Sequence, residues 1–293
     1  MSKSVAIIGF GVVGQAYHKV FPNAIVYDPP KNLYGVKVDE NGTAVPQVSV
    51  STSEMNETEG KKRVNACDVA VVAVWTGLTE DGTLDQSIVE EVVSWIECPL
   101  IIIKSALHPG TADMLVEKTG KRIAVSVEYI GEGNYPVHFW KYPHQTDPRF
   151  HTMLVVGGED DVAEEAAQFM WRYLSPDIKI HKVTRLEAEI CKLIENSYGA
   201  LKVTFANAFL SLAQKTDSSF IRLHQAWNSD PRTDSMHIRA VDFERGWQSK
   251  CWDKDVRALA HYSNQVGAKD MARLFDTIIE LNEEHKKLNE NKD

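Results

Sequence analysis

The apolar residues of this chain fall into two regimes. From Val5 to about Asp177 they come as short unbroken runs, at 5–8, 24–27, 69–74, 100–103, 123–127 and 154–156, separated by stretches of helical character. Fully apolar runs predict strands covered on both faces, and their alternation with helices predicts a parallel α/β sheet. Between Pro29 and Asn65 the text turns polar and is punctuated by Pro29-Pro30, Asn41-Gly42 and a Ser/Thr/Glu cluster. That composition predicts a long connection with little regular structure. After Pro176 the strands thin out and helices take over. Thr184 is a candidate N-cap, with Glu187 three residues on as its capping-box partner. From Tyr198 to Ala213 the helix is apolar almost all round, apart from Lys202, Thr204, Asn207 and Ser211. Burial on more than one side follows, in a domain core or a dimer interface. A last helical segment, roughly 255–289, ends in a charge run that reads as a solvated end.

The 293 residues are more than one core usually holds, and they predict two domains, 1–180 and 181–293. A composition 43% hydrophobic and 25% charged is that of a globular protein rather than a disordered or fibrous one. The net charge of −9, with no basic block, argues against nucleic acid or anionic lipid as the main partner. Cys67, Cys98, Cys191 and Cys251 lie far apart with no metal-ligand spacing, so no metal site is expected. No apolar stretch is long enough to span a bilayer. Residues 5–8 are interrupted by Gly9, Gly11 and Gly14, which do not make a signal peptide. The expectation is a cytoplasmic protein with reduced thiols.

Gly9-Phe10-Gly11-Val12-Val13-Gly14 follows the first strand and opens a helix, the context that a dinucleotide fingerprint requires. The first glycine permits the tight turn, and the second lets the backbone approach a pyrophosphate. The third packs helix on strand, which leaves the helix N-terminus facing the anion. Asp28 closes the second strand, where a carboxylate accepts hydrogen bonds from adenine-ribose hydroxyls and repels a 2′-phosphate. NAD is therefore the expected cofactor. The fold class predicted is an N-terminal Rossmann-type parallel sheet followed by an all-helical domain with a long central helix.

Cys251 supplies a second kind of chemistry. It stands in Gly246-Trp-Gln-Ser-Lys-Cys-Trp-Asp-Lys-Asp255, flanked by Lys250 and Lys254. Neighbouring positive charge favours the thiolate, which is the nucleophilic form. A hydride acceptor and a thiol in one chain suggest oxidation through a covalent intermediate. Lys192 and Asn196, four apart on a predicted helix, point the same way. Cys251 and Asp255 are one turn apart if Cys251 opens a helix, and so are Glu128 and Glu132 if that loop is helical.

Several of these segments together, in the same order along the chain, resemble the UDP-glucose/GDP-mannose dehydrogenase family. The stretch Cys67–Gly82 resembles that family's strand and V-P-T-P-L loop, with Trp75 and Gly77 in place of its two prolines. Lys104-Ser-Ala-Leu-His-Pro-Gly-Thr111 is similar to K-S-T-x-P-x-G-T, and Ser126-Val-Glu-Tyr-Ile-Gly-Glu-Gly133 to P-E-F-L-x-E-G. The run 188–196 resembles the central helix pattern A-E-x-x-K-x-x-x-N, and 251–255 resembles C-x-x-K-D. The resemblance implies a four-electron oxidation of a nucleotide-sugar primary alcohol to the uronic acid, most simply UDP-glucose to UDP-glucuronate. It implies Cys251 as nucleophile and Lys192 with Asn196 as oxyanion donors. Asp255 and Glu132 would handle protons and water, and Glu128 and Tyr129 the substrate side. Thr76 and Lys254 would lie near NAD, and the helix 184–214 would form a homodimer.

Departures from the pattern are specific. Family members carry a third domain after the central helices, before which this chain is expected to stop. The family loop G-F-G-G-x-C reads Gly246-Trp-Gln-Ser-Lys-Cys251 here. Ala106 stands where a threonine positions water, and Ala208 where a glutamate follows the helix asparagine. Two alternatives share the leading motifs: a 3-hydroxyacid or phosphogluconate type dehydrogenase, which needs no cysteine, and a non-catalytic NAD-binding protein.

Overall fold

The computed structural model describes residues 3–39, 41–45, 56–130, 147–234 and 236–290. Two compact units result. The first comprises residues 1–77 and 85–192, and the second residues 78–84 and 193–293.

The first unit is built on an eight-stranded sheet: β1 (Val5–Ile8), β2 (Ile25–Asp28), β3 (Leu33–Val36), β4 (Val69–Val72), β5 (Leu100–Ile103), β6 (Ile123–Val125), β7 (Met153–Gly157) and β8 (Lys179–Val183). Their order is β3-β2-β1-β4-β5-β6-β7-β8. Strands β2, β1, β4, β5 and β6 run parallel, while β3 and β7 pair antiparallel to β2 and β6. Alternate residues face opposite sides, as the two-residue period of a strand demands. Ile7, Val71 and Ile102 pack with Tyr17 and Val20 of α1 (Val12–Val20) and with Ala166 and Met170 of α5 (Asp160–Trp171). Ile8, Val72 and Ile103 pack on the other face, with Val64 of α2 (Glu57–Asn65), Val89 and Val93 of α3 (Ser87–Trp95) and Leu115 of α4 (Thr111–Thr119). The chain reverses its direction of growth between β1 and β4. Ligands of open α/β sheets bind at the carboxyl ends of the strands flanking such a switch.

Two features depart from the pattern-based expectation. The connection 29–65 contains β3, a short and mostly buried Leu-Tyr-Gly-Val edge strand set in polar text, and α2, a short polar helix capped by Asn56, which accepts from the Glu59 amide. The apolar runs also do not predict β8, an edge strand with mostly exposed side chains. Lys179 and Lys182 on it discourage pairing with a further strand.

Helix α6 (Arg185–Lys215) begins in the first unit and runs into the second. Its start follows the capping box: the Glu187 amide donates to Thr184 Oγ1 at 3.2 Å, and the Thr184 amide donates to Glu187 Oε2 at 2.7 Å. The second unit adds α7 (Phe220–Trp227), α8 (Lys250–Gln265) and α9 (Lys269–Glu290). The single helix expected over 255–289 is thus two. Gly267, at φ +80°, turns the chain between them. The apolar face of α6 is not fully covered in the single chain, where Ile194, Tyr198, Phe205 and Leu212 remain exposed.

Candidate active site

The glycine turn of the first unit meets the demands of a phosphate cradle. Gly9 has φ +88°, and a Cβ there would lie 2.4 Å from the Ala73 carbonyl oxygen. A Cβ on Gly14 would lie 2.0 Å from the Gly9 carbonyl oxygen, so helix and strand approach as closely as backbones can. Gly11 is different: a Cβ there would meet nothing within 4 Å, and the residue is exposed. Packing within the protein therefore does not require its lack of a side chain. Gly11 is the N-cap of α1, with no side-chain cap and no acidic residue in the first turn. An anion suits such a helix end. Val12 is exposed and Val13 half-buried beside it.

Asp28, the last residue of β2, accepts the Phe10 amide at 2.8 Å and so fixes the turn from the side. Lys31 donates to the Phe10 carbonyl at 2.5 Å and lies over the Phe10 ring. Sequence reasoning missed Lys31; its spacing three residues past Asp28 is the only signal it offers. Thr76 is buried just beyond β4. Ser105 Oγ donates to the Val74 carbonyl at 2.8 Å, tying the two loops at the strand ends. The dinucleotide therefore fits this cradle on three counts: an open Gly11, an uncapped helix end and a carboxylate closing β2.

Lys192 and Tyr129 also belong to the first unit. Lys192 is buried, with its ammonium 4.9 Å from the centroid of the Tyr129 ring. The Tyr129 hydroxyl donates to Cys191 Sγ at 3.4 Å. Residues 127–130 are not helical, and Glu128 instead accepts the amide of Ile130. Glu132 lies outside the described residues, so the expected Glu128–Glu132 turn has no helical start. Glu128 lines a small cavity with Tyr17, Lys104, Tyr129 and His151. Burial pushes the Lys104 amine down to about 7, although Glu128 opposes this. The ammonium donates to Ser126 Oγ at 2.8 Å and sits 4.5 Å from the centre of the Tyr17 ring. Nearby, Glu189 is buried and accepts the amides of Gly110 and Ala112, at 2.6 and 2.8 Å, at the start of α4. Burial pushes its carboxyl up to about 7, against the pull of those two amides.

In the second unit Cys251 is the second residue of α8, half-buried, after the N-cap Ser249. Asp255 lies one turn on, as the spacing predicts, and is 1% exposed. Its carboxylate accepts from Asn196 Nδ2 at 2.5 Å and from Lys254 Nζ at 2.6 Å. A buried carboxylate with a cation and a carboxamide around it is compensated, where an unpaired one is very costly. Gly199 makes the helix contact possible, since a Cβ on it would stand 2.8 Å from the Trp252 ring. Among the described residues no group of His, Cys, Asp and Glu could hold a metal ion.

Residues 186–284 match the family model described as UDP-glucose/GDP-mannose dehydrogenase family, central domain. Over that stretch the chain is similar to the family. The UDP-glucose 6-dehydrogenase of Pseudomonas aeruginosa is 26% identical over 243 residues, which are 73% of this chain and 51% of that protein. The GDP-mannose 6-dehydrogenase of the same organism is 27% identical over 223 residues, 71% of this chain and 50% of that one. A UDP-glucose dehydrogenase structure from Pyrobaculum islandicum shares the fold with a TM-score of 0.72 at 20% identity, covering 97% of this chain and 68% of the other. The chain spans about half the length of the curated relatives it matches.

Proposed function

We propose that this chain catalyses the NAD-dependent four-electron oxidation of a nucleotide-sugar primary alcohol to the uronic acid, with UDP-glucose the first substrate to try. The observation that carries the reading is the buried Asp255 held by Asn196 and Lys254 one turn from Cys251, in a chain that also holds a glycine cradle open only at Gly11. Two NAD molecules, bound in turn, would each supply the hydride acceptor for one of the two oxidation steps. In the first, the alcohol loses a hydride and a proton to become an aldehyde. The Cys251 thiolate then adds to the carbonyl carbon, and the resulting thiohemiacetal loses a second hydride and proton to become a thioester. Water attacks that carbon, the acid leaves, and the thiolate is restored.

Within this scheme Lys192 and Asn196 stabilise the oxyanion, a task in which one preorganised donor is worth roughly 3 kcal/mol. Asp255, with Glu132, receives protons and directs water, while Glu128 and Tyr129 contact the substrate. Gly9, Phe10, Gly11, Val12, Val13, Gly14, Asp28 and Thr76 hold the dinucleotide. Lys254, assigned to NAD by resemblance, has its ammonium on Asp255, and we give it the second task of holding that carboxylate in place. Cytoplasmic placement keeps the thiol reduced, as the scheme requires.

A homodimer through α6 is part of the same proposal. Ile194, Tyr198, Leu201, Phe205, Ala208 and Leu212 alternate steps of four and three residues, the spacing of a helix-pairing seam. Four of the six are exposed large hydrophobics. Light scattering at micromolar concentration should give twice the chain mass, and a monomer would refute the seam.

The decisive screen incubates the chain with NAD and UDP-glucose, UDP-N-acetylhexosamines or GDP-mannose, with and without a separate nucleotide-binding partner. Two NADH per acid are expected from one of them. One NADH per product, with no sensitivity to thiol alkylation, would favour a hydroxyacid-type dehydrogenase. NAD binding with no NADH from any substrate would favour a non-catalytic protein.

A further inference from the structure

Two asparagines of α9 grip the main chain just before the Cys251 turn, in a pattern that the proposed chemistry does not yet use. Asn282 is fully buried. Its Oδ1 accepts the Trp247 amide at 2.8 Å, and its Nδ2 donates to the Trp247 carbonyl at 3.1 Å. Asn289, seven residues and two helical turns away, repeats the arrangement on Arg245. Its Oδ1 accepts the Arg245 amide at 2.8 Å, and its Nδ2 donates to the Arg245 carbonyl at 3.0 Å. Arg245 and Trp247 are alternate residues, and the amide and carbonyl groups of both meet α9. Two side-chain carboxamides thus take the place of a neighbouring strand.

The residues around the clamp are built for it. Gly246, between the two gripped residues, has φ +78°, and a Cβ there would lie 2.7 Å from Asn282 Oδ1. Trp247 is buried, and its indole donates to Thr204 of α6 at 3.1 Å. The Arg245 guanidinium is buried as well, bonded to Ser211 and Gln214 of α6 and to Asp242. The gripped segment is therefore fixed to α6 by side chains and to α9 by main chain. Two residues later Ser249 caps α8, and Cys251 follows in its first turn.

We infer that Asn282 and Asn289 are positioning residues, which set the Cys251 turn by holding the main chain of Arg245 and Trp247 against α9. The inference rests on the reading of Cys251 as the nucleophile, but its test does not. In the full-length chain, Cys251 alkylation by iodoacetamide is followed by peptide mass under native conditions, with NADH binding and amide hydrogen exchange measured on the same samples. Asn289→Ala is the milder variant, because Asn289 is only half-buried. It should free the turn, speed exchange over residues 245–252, and raise the alkylation rate about 10-fold, the lower end for the two hydrogen bonds lost to the Arg245 main chain. NADH binding should stay within twofold. Asn282→Asp keeps the acceptor but loses the donor, and should give an intermediate rate. If kcat is measurable it should fall while KM for NAD holds, a split that loss of stability alone does not produce. Equal alkylation rates in wild type and both variants would overturn the clamp. Full acid production by Cys251→Ser would instead remove the nucleophile reading and leave the clamp to be judged on alkylation and exchange.

Discussion

The glycine turn of the first unit and the Cys251 turn of the second solve the same problem by opposite means. Both must hold a loop at a helix N-terminus in one conformation. The first does so chiefly with backbone: Gly9 and Gly14 are in contact with main-chain oxygens closer than any Cβ allows, and only Asp28 and Lys31, close by in sequence, add side chains on Phe10. The second does so with side chains from distant elements, Asn196 and Thr204 of α6 and Asn282 and Asn289 of α9. A backbone solution leaves a fixed local spelling, whereas a side-chain solution leaves partners scattered over about 90 residues of sequence. Sequence motifs are therefore sharp in the first unit and diffuse in the second.

The largest effect that would sharpen this contrast is expected at Gly9. Gly9→Ala places a methyl in a backbone oxygen at a positive φ, and should cost more than about 3 kcal/mol, the range of severe single substitutions. Gly11→Ala is its control. The methyl meets nothing in the protein, so thermal midpoint should hold while NADH affinity falls, because the methyl takes space a pyrophosphate needs. Equal loss of stability in both variants, read by calorimetry, would break the distinction between packing and ligand glycines.

Next in size is Asp255→Ala. It leaves Lys254 buried without its carboxylate and should cost about 3 kcal/mol in urea unfolding, the lower end for breaking a buried pair. Asp255→Asn, which retains an oxygen for Asn196, should cost less and still impair acid production. A neutral result for Asp255→Ala would mean that the side-chain solution is not holding the second unit together.

The remaining effects are in pH dependence, and they belong to the first unit. The Glu189 carboxyl is pushed up to about 7, so between its ordinary value of 4.5 and 7 the folded chain holds a proton that the unfolded chain lacks. Stability should therefore fall as pH rises through that window, and Glu189→Gln should flatten the fall. Lys104 is pushed down to about 7. The folded chain lacks a proton that the unfolded chain holds from there up to 10.5, so this group makes stability rise with pH, and Lys104→Met should remove the rise. Thermal midpoints measured from pH 4.5 to 10 separate the two slopes, and unchanged profiles in both variants would show that neither group titrates there.

What was legible in the sequence follows the same division. The sheet was legible because strands buried on both faces are written as unbroken apolar runs, and α6 because Thr184 and Glu187 spell its start. β8 was not, since this edge strand carries exposed polar side chains and needs no such run, and β3 was not, since its short Leu-Tyr-Gly-Val segment is broken by Gly35 and set in polar text. Asn196 and Asp255 were named, each with another residue of its own helix, but not as partners, although their contact is short and buried. Lys31, Gly199 and Asn289 could not be named at all. Each acts through a partner brought near by folding: a carbonyl, an indole and a stretch of main chain.

The most direct measurement is the ratio of NADH formed to acid released from UDP-glucose or whichever nucleotide sugar turns over, in wild type and in Cys251→Ser. The account predicts two NADH per acid in wild type, and no acid from Cys251→Ser with NADH binding retained. A ratio of one, or a ratio of two that survives loss of the sulfur, would contradict it.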